Sequence, residues 1–431
     1  MKTISNLLFA TVICLAVFSC KKDKENEKDP SEYPFAKETV DEGKTKMEDA
    51  GQQLIVEMKA MEKADAGGAL QAFADFYSTN DPFGSSTTKS IPVFRTISAV
   101  SAFSTSQNNL SYLSKLMKSD VAEDTSLLQF FNKYKGVYTW NLTTSVWVKT
   151  VSTEFKFIFP SIKGGTTNDA SLVITYTGIT ALLPLGEYKG DLPTAFNASI
   201  IVKEKKVFEI DFKASYNTEG FPTSVNYFIA LYPFKYEISW AYSSSSIELR
   251  YHLTNDSKNI LDCFGGISGN FSKDNITTDS DPDKVFFSGN AYFQVFNIKL
   301  AGNIDFKNLY LAQKKIYVNG VNEFKADTAF VKEINNYVAL NLVYADSKQK
   351  IASAEAYPIK KTRNYTYWVN NQPVTKEELS SDISMKFIFG DNSKSDMETY
   401  FNKGFTELIN DLNTFIVELN NDYDLGIKNV N

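Results

Sequence analysis

Residues 234–253 read FKYEISWAYSSSSIELRYHL. Phe234, Tyr236, Ile238 and Trp240 alternate with Lys235, Glu237 and Ser239. Past the run of serines, Ile247, Leu249, Tyr251 and Leu253 alternate with Glu248, Arg250 and His252. A period of two sends successive side chains to opposite faces, so each half reads as a strand with one face half-buried, the pattern of an antiparallel sheet. Just upstream, the apolar phase flips from Tyr227, Ile229 and Leu231 to Phe234 and Tyr236, and Pro233 marks the flip as a strand end or bend.

The same period runs outward in both directions. Phe155, Phe157 and Phe159 alternate with Glu154 and Lys156; Phe208, Ile210, Phe212 and Ala214 alternate with Glu209, Asp211 and Lys213. Two hairpins are predicted, Ile200 to Phe212 turning near Glu204-Lys205, and Val338 to Tyr357 turning near Asp346 to Gln349. An apolar residue, a small residue, Gly and Asn recur at Ile267 to Asn270, Phe287 to Asn290 and Leu300 to Asn303. Glycine inside a strand permits a bulge or sharp bend, so three such sites predict strong curvature. The aromatic content of 14% suits the concave side of a bent sheet.

Helical periodicity brackets this β region. Ala36 to Lys63 carries Val40, Met47, Leu54, Met58 and Met61 on one stripe, with Gly67-Gly68 as the break. A second helix is predicted through Ala69, Phe73 and Tyr77, another over 97–117, and a short one over Ser126 to Tyr134. Near the end, Met397, Phe401, Phe405, Leu408, Leu412, Phe415, Ile416 and Leu419 form one face of a helix over Ser395 to Asn421. The expected layout is α+β: a helical segment over 35–136, a large curved antiparallel sheet over 137–394 (an open half-barrel is one form it can take), and a C-terminal amphipathic helix over 395–431 packed on the sheet.

Composition excludes several functions. The net charge of −6 and the scattered lysines argue against nucleic acid as a partner. A single histidine, His252, rules out zinc sites built on two or three histidines. Gly266-Ile267-Ser268-Gly269-Asn270 misses the last glycine of a nucleophile elbow, and His252 precedes the serine, whereas in those hydrolases the histidine comes last. Asp279, Asp281 and Asp283 space like calcium ligands, but Lys284 stands where the loop needs glycine and Asn290 where it needs glutamate, so a solvated loop is expected. Glu377-Glu378 after Thr375 reads as a helix start. No catalytic residue, metal ligand or cofactor is therefore assigned. Of the four tryptophans, Trp240 lies on an apolar phase; Trp140 and Trp147 are the candidates for exposed, ligand-stacking rings. Cys263 reads as a small buried residue.

The N-terminus carries Lys2, an apolar core from Leu7 to Phe18 too short to span a bilayer, then Ser19 and Cys20. The stretch Leu15 to Cys20, LAVFSC, resembles the lipobox of bacterial envelope lipoproteins. Phe18 departs from the small residue usual at that place. The resemblance implies a signal peptide over 1–19, diacylglycerol on Cys20, and a mature chain that opens with a flexible charged tether over 20–34. With Cys14 removed and Cys20 acylated, Cys263 has no partner for an internal disulfide. The run KKDKENEKD after the cysteine partly resembles the export signal of Bacteroidota surface lipoproteins, and Asp327-Thr328-Ala329 matches their short O-glycosylation motif, which makes Thr328 a candidate glycosylation site. The expectation is an outer-membrane lipoprotein held by lipid on Cys20, facing either the periplasm or the cell surface. It is expected to be non-enzymatic, with the curved sheet binding a hydrophobic ligand or a protein partner. The alternatives are a glycan-binding accessory protein of an outer-membrane uptake system and a carboxylate-based hydrolase.

Overall fold

The computed structural model describes residues 29–80, 82–83, 127–182, 189–218, 222–272, 275, 281–318, 322–370 and 372–423. Cys14, Cys20, Asp279 and the helix expected over 97–117 lie outside these residues. In chain order come α1 (Val40–Glu62), α2 (Ala66–Thr79) and α3 (Leu127–Tyr134). Ten strands follow: β1 (Gly136–Asn141), β2 (Val146–Thr150), β3 (Phe155–Phe159), β4 (Ala170–Leu182), β5 (Lys189–Val202), β6 (Lys205–Tyr216), β7 (Pro222–Leu231), β8 (Phe234–Ser243), β9 (Ser246–Asn255) and β10 (Lys258–Gly269). Then come α4 (Pro282–Val285), β11 (Phe286–Val295), β12 (Ile298–Ile304), α5 (Phe306–Ile316) and α6 (Glu323–Tyr337). The remainder is β13 (Val338–Tyr344), β14 (Gln349–Val369), β15 (Gln372–Phe389), β16 (Lys394–Asp396), α7 (Met397–Gly404) and α8 (Thr406–Tyr423).

The class is α+β, and the sixteen strands form one open sheet with β2 and β16 at its ends. Pairing is antiparallel except between β1 and β3. The period-two reading holds where one face is covered: Phe155, Phe157 and Phe159 are buried while Lys156 and Ile158 between them are half-exposed. The β5–β6 turn falls at Lys203 and Glu204, whose φ values of 47° and 69° are those of a tight hairpin turn matching strand twist. Tyr232 and Pro233 form the turn between β7 and β8, which accounts for the flip of apolar phase. No residue of β9 is fully buried; all ten are intermediate.

Two compact units are present. One comprises Met1–Val56, Ser243–Leu249 and Leu261–Asn431; the other comprises Glu57–Tyr242 and Arg250–Ile260. In the second, Phe73 and Phe76 of α2 meet Trp140, Trp147, Phe157 and Phe159, and Phe131 of α3 stacks on Tyr176. The break between α1 and α2 falls at Lys63 to Asp65, and Gly67 and Gly68 lie inside the first turn of α2 rather than between helices.

In the first unit, Leu340, Leu342, Ile351, Phe387 and Phe389 of the sheet form a core with Met397, Tyr400 and Phe405, joined by Val40, Met47 and Leu408. The C-terminal helix is not continuous as expected. It breaks at Phe405, which leaves helical geometry (φ −128°, ψ 28°) and buries its ring beside Tyr400 and Phe401 of α7. Close approach of α1 to α8 requires Gly51, where an added methyl would lie 2.3 Å from Leu408 Cδ2. The sheet region also contains the helical pair α5 and α6, whose N-caps Asp305 and Asn322 accept backbone bonds from Asn308 and Lys325.

Two of the Gly-Asn motifs sit inside strands, β11 and β12, and the first closes β10 at Gly269 with Asn270 just beyond it. Gly269 marks a bulge in the β10–β11 ladder, and a methyl there would meet Val285 O at 2.1 Å. The last part of the expected tether is docked, not free. Asn303 Nδ2 donates to Asp29 Oδ2 at 2.6 Å, Lys350 N donates to Pro34 O at 2.8 Å, and Tyr33 is buried. Backbone pairing with a strand fixes residues that composition alone marks as flexible.

Candidate functional site

Strands β14 and β15 pair from Ala352↔Phe389 to Val369↔Gln372, a hairpin far longer than its neighbours. Among the described residues, β13 pairs with β14 only as far as Ser353, and β16 pairs with β15 only from Lys386 onward. The rest of the hairpin stands as a two-stranded ribbon.

Helix α6 holds its base. The Asn335 side chain accepts from Ala356 N at 2.8 Å and donates to Ala356 O at 3.0 Å, replacing the strand partner that β14 has lost. Two turns earlier, the buried carboxylate of Asp327 accepts from the hydroxyls of Tyr317 and Ser381. Ser381 pairs with Lys360, four residues beyond Ala356. Eight helical residues rise about 12 Å and four strand residues about 13 Å, so one helix face matches the strand at both points. Burial, and then the bond to Asp327, push the Tyr317 hydroxyl above the ordinary tyrosine range.

Past this clamp the described side chains of Lys361 to Val369 and Gln372 to Leu379 are exposed. Nine residues extend about 30 Å. At the far end lie Trp368, 71% exposed, with Tyr367 at 41%, Val369 and Val374. Trp368 pairs with Pro373 and Tyr367 with Val374, so the two rings take opposite faces. Thr366 and Thr375 share a hydroxyl bond of 3.1 Å, and Lys361 pairs with Asp382. The turn closes at Asn370 (φ 48°).

The residues singled out from the sequence lie elsewhere. Trp140 and Trp147 face each other across the β1–β2 pair with ring centroids 5.2 Å apart, and only 5% and 9% of their surface is exposed. The expected exposed stacking pair is therefore core, covered by Phe73 and Phe76; the exposed valines Val146 and Val148 flanking Trp147 masked this. Thr328 is half-buried on α6 and donates to Phe324 O at 2.7 Å, while the neighbouring Asp327 is committed to the clamp. Glu377 lies in β15 and not at a helix start. Cys263 is half-buried; burial, then the Asp262 charge, push its thiol up to about 11, which makes it a poor nucleophile. Ser268 shares a 2.7 Å bond with Ser288. Asp281 is paired with Lys314 and Lys284, and no group of three His, Cys, Asp or Glu side chains among the described residues converges on a metal position.

Two carboxylates of the second unit lie close together. Asn197 Nδ2 donates to Glu209 Oε1 at 2.9 Å and to Asp211 Oδ1 at 3.1 Å, but Lys206 neutralises the first acid and Lys213 the second. Burial opposes the charge of Glu209, and bonds from Tyr232, Asn197 and Lys206 outweigh it and hold the carboxyl below its ordinary range. A glutamate kept ionised and bonded on all sides is a sheet-surface ladder, ill-suited to donating a proton near neutral pH. In the first unit, a groove of about 450 Å³ is lined by Lys46, Asp49, Gln53, Phe296 and Tyr344 among others; Lys46 is paired with Glu38 and lies 4.8 Å over the Tyr344 ring.

No protein-family model, curated protein or solved structure matches this chain. Its chemistry is read from its own residues.

Proposed function

We propose that this chain is a lipid-anchored cell-envelope protein that acts by binding and not by catalysis, with the β14–β15 ribbon as its binding element. The observation that carries the reading is the aromatic end of that ribbon, Tyr367-Trp368-Val369, held out by a clamped base in a chain whose other described tryptophans are buried or half-buried. An exposed cluster of large rings on a projecting arm is costly to keep in water unless something covers it. LAVFSC supplies the anchor. Nine Cα steps separate Cys20 from Asp29, where the chain is already bonded to Asn303, so the lipid is on a leash of about 30 Å.

A pocket for an apolar ligand draws less support, because Met397, Tyr400 and Phe405 fill the apolar sheet face of the first unit. Labelling cells with a radioactive fatty acid tests the anchor. The wild-type chain is expected to carry label and to sediment with membranes, and Cys20→Ser to lose both; a labelled, membrane-bound Cys20→Ser chain refutes it. Replacing residues 362–379 with Asn-Gly, which keeps Lys361↔Ser380 as the closing pair, tests the ribbon. The shortened chain is expected to keep its fold and lose retention on vesicles and polysaccharides alike. Undiminished retention excludes the ribbon as the binding element.

A further inference from the structure

We infer that the ribbon tip inserts into an anionic phospholipid surface, an inference that rests on the ribbon being the binding element. Three observations converge on a lipid partner. The first is the placement of the rings. Tyr367 and Trp368 are sequence neighbours on a strand, so they face opposite ways, one beside Val374 and the other beside Pro373. A sugar chain or a folded protein covers one face of such a ribbon and leaves the other ring in water. A fluid interface surrounds the tip and takes up both rings at once, and Trp and Tyr are the side chains that favour that depth.

The second is charge. The projecting part, residues 361–379, has three cations, Lys361, Arg363 and Lys376, against Glu377 and Glu378, with Lys361 paired to Asp382 at the base, in a chain of net charge −6. Lys376 stands two residues behind Val374, about 7 Å along the strand. Interfacial segments bury their apolar part about 5–10 Å deep, so at that depth Lys376 sits at the headgroup phosphates.

The third is reach. The ribbon projects about 30 Å past its clamp, and the nine Cα steps from Asp29 back to Cys20 span about the same distance when extended. The leash is therefore about as long as the ribbon, so a lipid on Cys20 does not hold the body closer to a membrane than the ribbon reaches.

The test uses the polypeptide from residue 20 onward with Cys20→Ser, which carries no lipid and keeps all the contacts described above. It is mixed with phosphatidylglycerol–phosphatidylethanolamine vesicles, with phosphatidylcholine vesicles, and with a polysaccharide panel. Sedimentation with the anionic vesicles is expected, together with quenching of tryptophan emission by lipids brominated near the headgroup. Trp368→Ala is expected to weaken partitioning at least about tenfold and to abolish the quenching. Lys376→Gln is expected to weaken it about fivefold on anionic vesicles only. Circular dichroism of each variant confirms that the fold is kept. The inference is overturned if the parent chain stays in the supernatant, if Trp368→Ala binds vesicles as well as the parent, or if retention is confined to polysaccharide. Fatty-acid labelling of the full wild-type chain reports on the anchor separately, so loss of one reading is not mistaken for loss of the other.

Discussion

Asp327→Ala tests whether the ribbon is clamped as its geometry indicates. The carboxylate accepts from Tyr317 and Ser381, and removing it acts differently on the two donors. Tyr317 is 39% exposed and can turn to water, whereas Ser381 is 8% exposed and cannot. A buried hydroxyl left without a partner costs about 1–3 kcal/mol, and the lost charge-assisted bonds add to this. Against that, the variant no longer desolvates a carboxylate, a saving that in other buried pairs cancels much of the loss. The unsatisfied serine decides the balance, and the expected net cost is about 2–3 kcal/mol, confined to the ribbon base and α6.

Hydrogen exchange reads a local cost better than global melting, because a two-unit chain need not unfold in one step. Amides of β14 and β15 near Lys360 and Ser381 are expected to exchange about 30- to 150-fold faster in Asp327→Ala, and those of β3 to β6 not at all faster. Combining Asp327→Ala with Ser381→Ala should cost less than the two changes separately, since the second removes the stranded hydroxyl. Unchanged or slower exchange at the ribbon base, or strict additivity of the pair, refutes the clamp.

Two more predictions concern the first unit. Gly51→Ala places a methyl 2.3 Å from Leu408 Cδ2 and is expected to cost about 1–3 kcal/mol despite alanine's better helix propensity; adding Leu408→Ala should recover part of the loss, and a thermal melt of the four chains checks it. Tyr400 is buried, and burial followed by the charges of Glu38 and Asp41 pushes its hydroxyl up to about 12. Because the folded chain holds this proton more tightly than the unfolded one, its contribution is complete below pH of about 10 and is lost as pH rises toward 12. Tyr400→Phe should therefore show a flatter alkaline limb in unfolding midpoints measured between pH 8 and about 11.5, whereas parallel limbs count against it.

What was legible in the sequence follows from where a face is buried. Alternation found β3, β6, β7 and β8 because a helix layer or aromatic core covers one side of most of them; the turn expected near Glu204-Lys205 lies one residue earlier, at Lys203-Glu204, and Pro233 marks the other change of phase. The ribbon was missed for the same physical reason. Among the described side chains from Lys361 to Leu379 neither face is buried, so no apolar phase marks the strand, and Thr375 followed by Glu377-Glu378 imitates a helix start. The pair α5 and α6 carried readable N-caps, Asp305 and Asn322, but lay inside a region whose flanks all alternated. Trp140 and Trp147 show a limit of a different kind. Their burial comes from Phe73 and Phe76, more than sixty residues away in the chain, and no local pattern reports that.

The ribbon's composition also indicates which part of it meets a partner. Two strands without a third layer are marginal in water, so order must come from the clamp and from cross-strand pairs such as Thr366–Thr375, each worth about 0.2–1 kcal/mol. Such a ribbon presents two long edges, the usual template for unwanted strand pairing. Here the edges are guarded. Lys360, Lys361, Arg363 and Lys376 place charge along them, and Pro373 brings no N–H to a ladder. Charge and proline discourage a partner that would add a strand alongside, yet do nothing to shield Trp368, Tyr367 and Val369 at the end. A surface selected merely for solubility would have polar residues at that end as well. The combination of guarded edges and a bare aromatic tip is what a contact made end-on requires, and it sets the tip variants, rather than edge variants, as the ones that must change binding.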